Sequence, residues 1–93
     1  MGIKITHDLK DKLFYVEIEG KLCKLQYSKV DDKTLDYYST FVPESLSGRG
    51  IAGEITKFAL DYAKNNNLKV IPSCSYVKSY IVRHNEYSDL IKI

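Results

Sequence analysis

Gly48-Arg49-Gly50-Ile51-Ala52-Gly53 is the stretch of this sequence best suited to holding an anion. Glycines let the backbone approach a ligand closely, and the first turn of a helix leaves N–H groups free with the helix dipole behind them. Arg49 adds a flexible cation. The spacing is that of a G-x-G-x-x-G dinucleotide-binding loop, although glycine is common enough for unrelated loops to satisfy it. Cys74 is the second chemical candidate. It stands at the carboxyl end of an apolar segment and just before a predicted helix, where the helix dipole would favour thiolate, the nucleophilic form. The same position also suits a small buried hydrophobe. Tyr80 is the third, a phenol one helical turn after Tyr76, able either to protonate a leaving thiolate or to pack as core. His84 continues that face as a base or as a partner of the helix end. Lys78 and Arg83 could reach a ligand phosphate or form a solvated charged face.

These groups need elements to hold them, and the sequence divides near residue 45. Before it, Leu13 to Ile18, Leu22 to Val30 and Thr34 to Val42 are rich in Tyr, Val, Ile and Leu and predict three strands, with a further short strand at Gly2 to Thr6. Glu19-Gly20 and Asp31-Asp32-Lys33 are short enough for hairpins, so the first half is an antiparallel meander. After it, Ile51, Ile55, Phe58, Ala59, Tyr62 and Ala63 recur at helical spacing over Gly50 to Asn65. Asn65-Asn66-Asn67 closes that helix. Leu68 to Ile71 predicts a short buried strand ended by Pro72, and Ser75 the N-cap of a second helix running from Tyr76 to about His84.

Length and composition exclude several classes. The 93 residues make one domain, 1–93, with 44% hydrophobic and 28% charged residues, values ordinary for a globular chain. The apolar runs are too short to span a bilayer and the first residues lack a signal-peptide core, so a cytoplasmic protein with no membrane partner is expected. A net charge of +2 is far below that of a dedicated nucleic-acid binder. The charge is uneven: residues 1–46 carry 7 basic and 8 acidic groups, residues 47–93 carry 7 and 4, so the glycine loop lies in the positive half. Cys23 and Cys74 are not expected to pair in a reducing compartment. His7 and His84 have no neighbouring second ligand, so no metal site is expected.

A Rossmann reading of the loop requires an acidic residue about 20 positions on to bind ribose. The second strand instead ends Val70-Ile71-Pro72-Ser73-Cys74 without a carboxylate, and the remaining chain is too short for a doubly wound sheet. Gly50-Ile51-Ala52-Gly53 also satisfies the GXXG loop of a KH domain, but that loop joins two helices and this one follows a strand. RNA binding is therefore a distant alternative, and nucleic acid is not an expected partner.

A strand, then Leu46-Ser47-Gly48-Arg49-Gly50-Ile51-Ala52, then an amphipathic helix and a short strand resembles motif A of the GNAT superfamily of acetyl-CoA-dependent N-acetyltransferases. There Gln/Arg-x-x-Gly-x-Gly/Ala cradles the pyrophosphate of coenzyme A. Gly50 and Ala52 match the last two fixed positions, and Ser47 stands where Gln or Arg is usual. The resemblance narrows to short stand-alone GNAT-like proteins through Phe41-Val42-Pro43-Glu44, the GRGIA loop, LDYAKNNNLKVIP, and Pro72-Ser73-Cys74-Ser75-Tyr76. It covers residues 34 to about 89. Many members carry a His-Thr pair in the strand before the loop, where this chain has Ser39-Thr40.

The resemblance implies a minimal GNAT-like α/β fold (an α+β mixed sheet): an antiparallel meander, a helix, a parallel strand splayed from the meander, and a short helix. It implies acetyl-CoA as co-substrate, held by Phe41, Val42, Ser47, Gly48, Arg49, Gly50, Ile51, Ala52, Gly53 and Tyr76. It implies Cys74 and Tyr80 as the catalytic pair of an acyltransferase moving acetyl to an amine. Backbone N–H groups near the loop would stabilise the oxyanion. The two further strands with which larger relatives build an acceptor pocket are replaced by Asp89-Leu90-Ile91-Lys92-Ile93 alone. The acceptor is then a protein side chain or a small polyamine in an open cleft, a homodimer could complete the wall, and a non-catalytic acyl-CoA-binding or protein-interaction domain is the alternative.

Overall fold

Alternating apolar and polar residues with tight turns between them set the first half of the chain. In the computed structural model, which describes residues 3–92, they form four antiparallel strands: β1 (Thr6–Asp8), β2 (Leu13–Ile18), β3 (Lys21–Asp31) and β4 (Thr34–Phe41). Glu19 and Gly20 turn β2 into β3 with φ of 54° and 75°, the doubly left-handed geometry whose twist suits a two-residue hairpin. Asp31 Oδ1 accepts the Lys33 N–H at 2.8 Å and shapes the β3–β4 turn. The early strand lies later than Gly2–Thr6, and residues 1–2 fall outside the described residues. Its position follows from His7, which pairs opposite Phe14, stacks on that ring at 4.2 Å and lies 2.6 Å through Nε2 from the Tyr27 hydroxyl.

The second half is a helix α1 (Ile51–Asn65), a strand β5 (Lys69–Ile71) and a helix α2 (Ser75–Arg83). Ile51, Ile55, Ala59, Leu60 and Ala63 form the buried stripe of α1. Each Ile or Leu taken out of water there contributes about 1.5–3 kcal/mol. The helix ends at Asn65 with Asn66 as C-cap, Asn67 follows left-handed with φ of 57°, and Leu68 donates its N–H to the Ala63 carbonyl at 2.9 Å. That bond makes Leu68 part of the helix exit, which is why the strand begins at Lys69 rather than Leu68. After α2 the chain makes a 3-10 turn over Asn85–Leu90, and Ile91 forms a parallel bridge to Val70 at the outer edge of β5.

The sheet order is β1-β2-β3-β4-β5, with β5 parallel to β4. Phe14, Val16, Cys23, Leu25, Tyr27, Leu35 and Tyr37 are buried on the face that carries the helices. The two helices lie side by side there. A Cβ on Gly53 of α1 would stand 3.4 Å from the Tyr76 hydroxyl and 3.8 Å from the Tyr80 ring of α2. On the opposite face Leu13, Tyr15, Glu17, Leu22, Lys24, Gln26, Ser39 and Phe41 are all incompletely buried or exposed.

Two irregularities in β4 open the sheet at its far end. The register against β3 jumps from Tyr27↔Tyr37 to Gln26↔Ser39, leaving Tyr38 as a bulge. The parallel pairing with β5 covers only Thr34↔Lys69, Leu35↔Val70 and Asp36↔Ile71. The chain then turns at Pro72, Ser73 donating its N–H back to the Ile71 carbonyl at 3.0 Å, and the next link to β4 is the Cys74 N–H to the Tyr37 carbonyl at 2.9 Å. From there β4 runs on to Phe41 while the chain turns into α2, so the two strands part, as the splayed arrangement requires.

Tyr37 joins sheet to helix: fully buried, it donates its hydroxyl to the Ala59 carbonyl at 2.6 Å, and burial pushes its pKa well up, so it stays protonated. Tyr37→Phe should lower stability by about 1.5 kcal/mol in urea denaturation. An unchanged midpoint would show that this bond does not fasten α1 to the sheet.

Candidate functional site

The glycine loop is anchored at its start by a 3-10 turn, Glu44–Leu46, whose Leu46 side chain is fully buried and whose Glu44 carbonyl accepts the Ser47 N–H. Gly48 and Gly50 then take φ of 81° and 78°, left-handed values costly for any residue with a Cβ. A Cβ at either would meet no protein atom within 4 Å, so the space above them is open. Gly50 is the N-cap of α1 and supplies no side-chain bond, and the first intrahelical bond is Glu54 N–H to Gly50 carbonyl at 3.1 Å. The N–H groups of Ile51, Ala52 and Gly53 therefore have no helical acceptor. Ile51, Ala52 and Gly53 line, with Val42, Leu46, Ser47, Gly48, Gly50 and Tyr76, a cavity of about 280 Å³. Gly53 also faces α2, where a Cβ would meet the Tyr76 hydroxyl at 3.4 Å and the Tyr80 ring at 3.8 Å, an ordinary contact.

Two residues expected at this site stand elsewhere. Arg49 does not line the cavity; its Nη1 donates to Glu19 Oε2 at 2.8 Å, and that hydrogen bond and charge hold the Glu19 carboxyl below its usual range. Lys21 Nζ likewise donates to Ser45 Oγ at 2.6 Å, so the β2–β3 hairpin tip braces the loop at two points. The Arg49–Glu19 pair is exposed on both sides and adds little stability. Phe41 lies opposite Lys24, on the sheet face away from the helices.

Cys74, not Ser75, is the N-cap of α2, because its backbone is held extended by the bond to Tyr37. Its Sγ lies 3.5 Å from Thr40 Oγ1, the thiol donating. Burial pushes the thiol pKa up, but the Thr40 hydroxyl and the N–H groups of Val77, Tyr76 and Thr40 that face the sulfur pull harder, and the net direction is down. None of those N–H groups closes a full capping bond to the side chain. Cys23 is the contrast: fully buried within the sheet, its thiol is pushed up by desolvation. Both cysteines are free.

Tyr80 is 7% exposed, and its ring stacks on His84 with centroids 3.9 Å apart. His84 Nδ1 sits 2.8 Å from the Tyr80 carbonyl, and burial raises the Tyr80 pKa. The pair is packed, whereas Tyr76 presents its phenol to the cavity. Lys78 and Arg83 border a separate depression on the exposed side of α2. Thr40 and Glu19 were not among the expected site residues. Ser39-Thr40 draws notice in the sequence only for lacking a base, and nothing in it joins Thr40 to Cys74. Alkylation of Cys74 by iodoacetamide should titrate at a lower pH in the folded protein than in the urea-unfolded protein, and Thr40→Val should move the folded midpoint upward, with Cys23 unmodified in the folded protein. A folded midpoint at or above the unfolded one would show that burial outweighs the donors.

Residues 13–90 match the sequence model of the GCN5-related N-acetyl-transferase family. Protein NATD1 from Xenopus tropicalis is 36% identical over 82 residues, covering 86% of this chain and 75% of that protein. Protein NATD1 from Homo sapiens is 33% identical over 81 residues, covering 85% and 72%. Among solved structures, the NMR structure of a GCN5-like protein from Staphylococcus aureus superposes with a TM-score of 0.77 at 27% identity, covering 97% of this chain and 88% of the other. The family model spans most of the chain and the relatives match over most of their own length, so the chain belongs to the GCN5-related N-acetyltransferase family.

Proposed function

We propose that this protein binds acetyl-CoA at the Ser47–Gly53 loop and transfers its acetyl group to an amine. The observation that carries the reading is the loop itself: two left-handed glycines with open space above them, followed by three N–H groups without helical acceptors. That arrangement suits a pyrophosphate, whose charge the α1 dipole favours. Arg49 would leave Glu19 for a phosphate at small cost, their pair being solvated. The gap between β4 and β5 would take the pantetheine arm, with Val42 and Tyr76 against it and the thioester toward Cys74 and Thr40. Phe41, on the other face, is less suited to that contact. The activity belongs to the cytoplasm in this reading, and no helix among the described residues is long and apolar enough to cross a membrane.

Cys74 is the nucleophile of this proposal. Its thiolate attacks the thioester carbonyl carbon, the new C–S bond forms at Sγ, and the coenzyme A thiolate leaves and takes a proton. The phenol suited to supply that proton is Tyr76, which borders the cavity, rather than Tyr80, packed under His84. An amine then attacks the acetyl-cysteine, the C–S bond breaks, and the amine gives up one proton as the thiol is restored. An acyl-CoA-binding domain without transfer is the second reading, favoured by Ser47 at a position usually Gln or Arg and by hydroxyls, not a base, at Ser39-Thr40.

Calorimetric titration with acetyl-CoA should show saturable micromolar binding, about −8 kcal/mol. Gly50→Val should abolish it while circular dichroism retains the helices. Unchanged binding in that variant would remove the loop from the site. Intact-mass spectrometry after mixing with acetyl-CoA should show an acetyl adduct that Cys74→Ala eliminates. Binding without any adduct would favour the acyl-CoA-binding reading, and an adduct that persists in Cys74→Ala would place the nucleophile elsewhere.

A further inference from the structure

The β2–β3 hairpin tip carries a residue that its turn does not call for. A two-residue turn with both φ positive favours Asn, Asp or Gly at its first position, and Glu19 stands there at φ 54°. A residue held in a sparsely populated conformation points to a role for its side chain. The Glu19 carboxylate reaches the glycine loop and accepts from Arg49 Nη1 at 2.8 Å. Arg49 stands between Gly48 and Gly50, which both border the cavity of about 280 Å³, yet its own side chain is turned away from it. The one cation in residues 47–53 is therefore engaged by a carboxylate instead of facing the place suited to an anion. A guanidinium binds carboxylate and phosphate through the same planar fork of N–H donors, so the two compete for it. The exchange would leave Glu19 with a counter-charge, because Lys21 also favours its ionised form. Lys21 Nζ donates to Ser45 Oγ at 2.6 Å, a bond that keeps the hairpin tip on the loop when Arg49 departs. The Arg49 and Glu19 side chains are 50% and 59% exposed, so their pair opens easily.

We propose that Glu19 is a positioning residue of the cofactor site, a resident anion that holds Arg49 off the loop until a diphosphate takes its place. This role rests on the acetyl-CoA reading of the loop and deepens it. Each binding event swaps one anion for another on the guanidinium, and the strength of the Glu19 contact is subtracted from the affinity. The penalty falls on every diphosphate ligand, the product coenzyme A included. Because such differences in affinity appear mostly in the rate of dissociation, the returning carboxylate speeds release of the spent cofactor. Glu19→Gln keeps the size of the side chain, removes its charge and leaves Arg49 to the ligand.

The test is calorimetric titration with acetyl-CoA of the wild type, Glu19→Gln, Arg49→Gln and the double variant. Spectra of the ¹⁵N-labelled proteins in mildly acidic buffer follow the side-chain Nε–H of Arg49, with Arg83, the other arginine of the chain, as the internal control. We expect Glu19→Gln to tighten binding about twofold to fivefold, the range of an exposed ion pair. Arg49→Gln should weaken binding, and adding Glu19→Gln to it should change nothing further. The Arg49 Nε–H should shift in the wild type when acetyl-CoA is added, and in Glu19→Gln before any is added, while Arg83 stays in place. Backbone amides in the same spectra report that each variant has kept the fold. Wild-type binding that Glu19→Gln leaves unchanged or weakens would overturn the proposal. So would an equal gain in the Arg49→Gln background, which would make Glu19 a plain repulsive charge that does not act through Arg49. If neither the wild type nor Glu19→Gln binds acetyl-CoA, the reading of the loop fails and this role fails with it.

Discussion

The parting of β4 from β5 is the constraint on which the rest of this structure depends. Three paired positions join the strands, then the chain turns at Pro72 and Ser73 gives its N–H to the Ile71 carbonyl rather than to β4. The Tyr37 carbonyl is satisfied instead by the Cys74 N–H. One hydrogen bond thus does three things: it ends the sheet, starts α2 with Cys74 in an extended cap, and carries the thiol to Thr40. Without it the backbone of β4 beyond Asp36 would be a longer unpaired edge, and Cys74 would have no defined place beside the gap.

The glycine loop is built on a division of labour that its spacing conceals. Gly48 and Gly50 are required by backbone conformation, and the open space above them follows from having no Cβ. Gly53 lies within the helix and faces α2, where a Cβ would meet Tyr76 and Tyr80 at ordinary contact distance. The loop and the second helix are consequently one unit. A change at Gly53 would act through the α1–α2 contact, whereas changes at Gly48 or Gly50 would act on the approach of an anion.

The placement of the helices shapes the other half of the molecule. Both lie on one face, where the aromatic group of His7, Phe14, Tyr27 and Tyr37 packs under α1. The opposite face has no layer over it within the described residues and shows a mixed surface of Leu22, Lys24, Gln26 and Phe41.

The sequence by itself determined the meander, the amphipathic helix and the identity of the loop. Each rests on local rules: alternation for strands, a 3.6-residue stripe for α1, and glycines where positive φ is needed. Of the six residues in the predicted stripe, Ile51, Ile55, Ala59 and Ala63 are buried, whereas Phe58 is 40% exposed, Tyr62 is partly buried, and Thr56 and Leu60 complete the buried face. Tertiary structure decided what periodicity cannot register. His7 drew the first strand to Thr6–Asp8 through contacts with Phe14 and Tyr27, residues distant in the chain. Leu68 was claimed by the Ala63 carbonyl, and Cys74 took the cap expected of Ser75 because Tyr37 held its backbone. Arg49 turned to Glu19, and Phe41 to the far face. Except at Leu68, whose partner is the last turn of the helix it follows, the deciding partner lies on another element, and a hydrogen bond or a ring contact between separated residues leaves no mark in the local spacing of either.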